Sequence, residues 1–184
     1  MGSIRTPKPV KLISAIMAIN NEYMEKTQTE LIKIYGNIDL ESEIFDFSHT
    51  SYYKKEMGDN LIKKFISFEN LFNIEIMPDI KLNTNNIELE LSDYCDADTQ
   101  ICRKINIDPG YISPAKLVLL TTKNYDHRIY IRNGIYGEVT LHFTKGKFHP
   151  WEWTYPDYKT EFAINFFTKV RNKYMNQLKQ QNLL

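Results

Sequence analysis

The apolar pattern opens with Val10–Ile19, broken only by Lys11 and Ser14 and bounded by Pro9 and Asn20. A short run of this kind reads as a central strand buried on both faces. Asn20 or Asn21 can cap a following helix, in which Met24, Leu31, Ile32 and Tyr35 share a stripe and Gly36 supplies a left-handed end. Ile38–Phe47 reads as a strand with acidic groups on its wet face, and Leu61–Phe68 as its partner, joined by the polar segment 48–60. Ile80 and Leu82 alternate, after which Asn83 or Thr84 opens a helix carrying Ile87 and Leu91. The set Ile87, Leu89 and Leu91 fits a strand equally well. Ile101–Ile107 reads as a strand ending in a turn at Asp108-Pro109-Gly110, where proline fixes the first corner and glycine accepts positive φ. Lys116–Thr122 and His127–Ile131 are strand-like. Asn133-Gly134 marks a hairpin whose second arm is Ile135–Phe143, and Lys145-Gly146-Lys147 makes the next turn. A last helix starts near Asp157, read as its cap, with Tyr158, Phe162, Phe166, Val170, Tyr174 and Leu178 recurring every fourth residue.

This order predicts an α+β fold: a mainly antiparallel sheet built as strand-helix-strand-strand-helix-strand plus a C-terminal hairpin, with the amphipathic C-terminal helix packed on it. The 184 residues suit one domain over residues 9–178 with short tails at 1–8 and 179–184, or two pseudo-halves meeting near 98. No apolar stretch approaches the roughly 20 residues needed to span a bilayer, so no membrane segment is expected. Cys95 and Cys102 lack metal or redox spacing, and cytoplasmic residence with reduced thiols is the expectation.

Charge changes this picture in two steps. The 23 basic and 23 acidic side chains cancel, and 42% of residues are hydrophobic. That composition excludes a disordered chain and makes a nucleic-acid partner an unfavoured one. Divided at residue 98, the first part holds 10 basic and 17 acidic residues and the second 13 and 6. If the halves segregate in space, the second offers a positive surface for an anion.

No phosphate-binding glycine loop, dinucleotide fingerprint, nucleophile elbow or helical zinc motif occurs, so no cofactor or metal is expected. The strings Asn106–Tyr111 (Asn-Ile-Asp-Pro-Gly-Tyr) and Trp153–Tyr158 (Trp-Thr-Tyr-Pro-Asp-Tyr) do stand out. Together with Thr50–Gly58, Phe65–Leu71, Asp79–Thr84 and Asp126–Val139 they resemble domain-of-unknown-function family 4416, over roughly residues 8 to 178. The resemblance implies a family, not an activity.

Chemistry must come from the residues. Aromatic rings beside a helix start can stack a flat ligand, and free amides there favour an anion. The expected site therefore lies between the Asp108-Pro109-Gly110 turn and the start of the last helix. Its candidate residues are Asp108, Gly110, Tyr111, Lys116, Arg128, Trp153, Tyr155 and Asp157, and its ligand would be an anionic small molecule or nucleotide. An alternative rests on His49-Thr50-Ser51 and His142-Phe143-Thr144. These two H-x-[ST] strings resemble those of two-histidine phosphoesterases, in which one imidazole acts as base and the other as acid, while the hydroxyls of Ser51 and Thr144 would hold phosphate. A third reading is a non-catalytic protein or RNA interaction module; for RNA, Lys145, Lys147, His149, Trp151 and Trp153 interleave charge with aromatic rings as single-stranded nucleic-acid binders do.

Overall fold

The computed structural model describes residues 2–47, 54–95 and 100–184. Its strands are β1 (Val10–Ala18), β2 (Ile38–Glu41), β3 (Phe45–Phe47), β4 (Leu61–Phe72), β5 (Asp93–Cys95), β6 (Gln100–Cys102), β7 (Ile105–Ser113), β8 (Lys116–Thr121), β9 (Ile129–Arg132), β10 (Ile135–Thr144) and β11 (Lys147–Pro150). Its helices are α1 (Asn21–Tyr35), the single turn α2 (Lys54–Met57), α3 (Met77–Glu90) and α4 (Glu161–Gln180). The fold is α+β. Nine strands form one antiparallel sheet in the order β11-β10-β8-β7-β1-β4-β2, with β3 added to β4 and β9 to β10, while β5 and β6 make a separate pair.

The order β2-β4-β1-β7, with α1 and α3 as crossovers, is the split βαβ arrangement. It follows from one strand. β1 is buried along its whole length and pairs with β4 on one edge and β7 on the other. Alternate β1 residues then feed two cores. Leu12, Ile16 and Ala18 pack with α1 and α3, and Ile13 and Ala15 pack beneath α4. α4 thus covers the face that a bare split βαβ unit leaves open, burying Phe166, Phe167, Val170, Tyr174 and Leu178. The Tyr174 hydroxyl donates to the Pro9 carbonyl at 2.8 Å, fixing the helix to the entry of β1.

Several local signals act as read. Asn20 caps α1 by accepting from the Tyr23 amide, and Gly36 ends it at φ 89°. Asn133 and Gly134 both take positive φ in the β9–β10 hairpin, as the tight turn requires. Other expectations are corrected. Ile38–Phe47 is split into β2 and β3, since Ser42 leaves the ladder to donate its amide to Phe65 O and accept the Phe65 amide on its hydroxyl. The Ile80/Leu82 alternation belongs to a helix, because Pro78 sits in the first turn of α3 and Met77, Ile80, Thr84 and Ile87 bury one face.

Asp108-Pro109-Gly110 is not a turn. It lies inside β7, in register opposite Ala15, Ser14 and Ile13 of β1, and the reversal comes after it, at Pro114-Ala115. Turn propensity yields here to a complete partner strand. Nor does Asp157 cap the last helix. Residues Pro156–Lys159 form a 3-10 turn, and the Thr160 hydroxyl caps α4 by accepting from the Ala163 amide at 3.1 Å.

Candidate functional site

β7 and β8 are hydrogen-bonded only from Ser113↔Lys116 to Gly110↔Leu119. Beyond that point they diverge, and the sheet splits. Pro109 helps to set the position of the split. The amide and carbonyl of Ile107 point away from β1, and by alternation Pro109 shares that edge, where it has no N–H to offer β8. Side chains of α3 replace the missing strand. The Lys81 ammonium donates to Ile107 O at 2.8 Å, and the Ile107 amide donates to a Glu88 carboxylate oxygen at 2.7 Å.

A cavity of about 630 Å³ fills the split. It is lined by Phe47, Lys63, Leu119, Glu138 and the segment Tyr155–Tyr158, by Lys81, Asn85 and Glu88 of α3, and by Arg103, Asn106 and Asp108. Thr121, Thr122 and Lys123 complete the rim. The expected residues Asp108, Tyr155 and Asp157 therefore meet in one concavity.

The cavity is densely charged, and most of the charges are paired. Lys63 and Asp157, both buried, lie 2.7 Å apart, and the Lys63 ammonium also sits 4.9 Å from the Phe47 ring centre and 5.4 Å from that of Tyr158. Arg103 donates to Glu88 at 2.7 Å, to the Asn106 side-chain oxygen Oδ1 at 2.6 Å and to Glu56 of α2 at 3.1 Å. Buried Glu138 accepts from Arg128 at 2.8 Å and lies 3.3 Å from His127 Nε2. Asp108 accepts from the Asn106 amide at 2.8 Å.

Burial raises the Glu88 carboxyl above its ordinary range, with Lys81 and Arg103 only partly opposing it. Burial, helped by Glu138, pushes the Tyr155 phenol to about 12 against the opposing pull of Arg128. Burial also drives Tyr158 well upward, and the charges of Asp157 and Asp108 add to it. Because Glu88 binds its proton more tightly in the folded chain, its favourable contribution is complete below the ordinary glutamate value and is lost as pH rises through the raised one. Denaturant titrations across that window should therefore show the stability of the wild type relative to Glu88→Gln falling as pH rises. A parallel pH dependence in the two proteins would refute the assignment.

The remaining expected site residues lie elsewhere. Gly110 is on the cavity face of β7 but packs against β8. Its missing Cβ would stand 2.4 Å from the Val118 carbonyl oxygen, so close strand approach, not positive φ, demands glycine. Tyr111 is buried in the core beneath α1 and α3. Lys116 is exposed at the far end of β8. Arg128 stands just behind the cavity wall, donating to Glu138 and, at 2.7 Å, to the Tyr155 hydroxyl. Trp153 donates to Val139 O and stacks between His127 and Trp151, 5.3 Å from each. His49 and Ser51 lie outside the described residues. His142 and Thr144 do not line the cavity; the His142 ring lies tilted against Trp151 at 4.3 Å and stacks on His149 at 5.6 Å.

The sequence reading missed Lys63, Lys81, Glu88, Arg103, Asn106 and Glu138. Lys63 did leave a signal, since Leu61, Lys63 and Phe65 share one face of an apolar strand, and a lysine there needs a buried partner. Lys81 and Glu88 fall on one helical face only once α3 is recognised.

Residues 8–174 match the family described as domain of unknown function (DUF4416). The chain belongs to that family. No curated protein and no solved structure matches it. The strings that carried the family resemblance thus have structural roles in this DUF4416 chain: Asn106–Tyr111 forms the middle of β7, and Trp153–Tyr158 forms the cavity roof and its approach. Among the described residues no helix is long and apolar enough to cross a membrane, and no cluster of three or more His, Cys, Asp or Glu side chains is placed to hold a metal ion.

Proposed function

We propose that this chain binds an anionic small molecule or nucleotide in the cavity between β7 and the Tyr155–Tyr158 segment, and that it does so in the cytoplasm. The observation that carries this reading is the convergence of Asp108, Tyr155 and Asp157, from separate parts of the chain, on one cavity of about 630 Å³. That size falls within the range of roughly 300 to 1,000 Å³ of small-molecule sites. Lys63, Lys81, Arg103 and Lys123 supply positive charge in its lining, and Phe47 and Tyr155 supply flat apolar walls.

The charge asymmetry between the two parts of the chain does not supply the site. Lys63 and Lys81 come from the acidic part, and three of the four lining carboxylates, Asp108, Glu138 and Asp157, come from the basic part. The charges interleave, so support comes from the local cluster alone.

A thermal-shift panel of nucleoside mono- and diphosphates, sugar phosphates and pyrophosphate tests the reading. A compound held at about a hundred times its Kd stabilises the folded chain by about 2.7 kcal/mol. For a chain of this size that should raise the midpoint by about 5 to 10 °C. A panel in which no compound moves the midpoint would contradict the proposal.

A further inference from the structure

Four carboxylates line the cavity, and three are matched by a cation: Asp157 by Lys63 at 2.7 Å, Glu88 by Arg103 at 2.7 Å and Glu138 by Arg128 at 2.8 Å. Asp108 is the exception among the described residues. Its Oδ2 accepts from the neutral Asn106 side-chain amide at 2.8 Å, and among the described residues no donor reaches its Oδ1. Its backbone is held rigidly, opposite Ala15 in the middle of β7. A carboxylate with no cation of its own, in a lining where four cations face four carboxylates, does two things to an incoming anion. It repels one that is negative throughout, and it attracts one that also presents an N–H. Two flat rings stand in the same lining: Phe47 flanks Lys63, and the Tyr155 hydroxyl accepts from Arg128 at 2.7 Å. Flat walls favour a planar group.

We infer that Asp108 sets the class of ligand: the cavity takes anions that also carry N–H donors on a planar heterocycle, that is nucleotides, in preference to sugar phosphates and inorganic phosphates. This rests on the ligand-site reading above and narrows it. The anionic end of such a ligand faces the lysines and Arg103, and the edge of its base faces Asp108 Oδ1. Asn85, on the same helical face as Lys81 and Glu88, adds an amide with both a donor and an acceptor to the lining.

Calorimetric titration with the four common ribonucleoside 5′-monophosphates, ribose 5-phosphate and pyrophosphate separates the outcomes. The wild-type chain is expected to bind at least one nucleotide roughly tenfold or more tightly than ribose 5-phosphate. In Asp108→Asn that preference should collapse toward equality, while ribose 5-phosphate and pyrophosphate bind more tightly because the repulsion is gone. A residue that merely supports the fold would weaken all ligands together. Equal wild-type binding of ribose 5-phosphate and nucleotides overturns the inference without any variant and leaves the ligand site standing. A preference that survives in Asp108→Asn overturns it as well. If none of these compounds binds the wild-type chain, the inference falls together with the reading beneath it.

Discussion

Replacing Lys63 with methionine should destabilise the chain by about 3 to 5 kcal/mol, because it strands the Asp157 carboxylate in the interior. Asp157 is only 3% exposed and lies 2.7 Å from the Lys63 ammonium, which is itself packed against the Phe47, Phe65 and Tyr158 rings. Asp157→Leu should cost a comparable amount for the converse reason. The double variant should recover most of the loss, since an apolar pair of similar volume needs no desolvation of charge. Urea denaturation of all four proteins forms a double-mutant cycle, and the coupling energy should exceed about 2 kcal/mol. A single variant that loses less than about 1 kcal/mol would show that the two groups are solvated and the cavity roof is loose. The consequence reaches the site, because this ion pair joins β4 to the turn that carries Tyr155 and Tyr158.

Gly110→Ala should be the most damaging of the small substitutions, at about 2 to 3 kcal/mol. The added Cβ would meet the Val118 carbonyl oxygen at 2.4 Å and a Leu119 methyl at 2.8 Å. The methyl can rotate away, but the carbonyl belongs to the ladder that holds β7 to β8 and must move with it. Because Gly110↔Leu119 is the last pair before the split, the displacement should widen the cavity as well as weaken the sheet. Gly134→Ala is the control. It meets nothing within 4 Å and carries only the cost of positive φ. The account of Gly110 fails if both variants unfold at the same denaturant concentration.

These two sites also mark where local sequence stopped being informative. β1, α1, the Asn133-Gly134 hairpin and the buried stripe of α4 were legible because each carries its own instruction: an apolar run, a cap, a turn pair, a fourfold spacing. Asp108-Pro109-Gly110 carries an equally strong local instruction, and it is overruled. Alignment with β1 buries Ile105, Ile107 and Ile112 at once, and that long-range gain outweighs the propensity of three residues. The site suffered the same limit. Asp108, Tyr155 and Asp157 stood out in the sequence as chemically unusual strings. The α3 wall did not, because Lys81 and Glu88 look like surface charges until the helix is known to lie under an unpaired edge of β7.

The most direct test of the central claim, that the split between β7 and β8 is a ligand site, is a titration of the isotopically labelled chain with each of the four nucleoside monophosphates, followed by backbone amide NMR. The account predicts shifts concentrated at Ile107, Asp108, Leu120, Thr121 and Tyr155, with the Ile107 amide among the most affected because Glu88 holds it at the cavity edge. Titrations that leave these amides unmoved, or that shift only the Trp151–Trp153 edge, would contradict it.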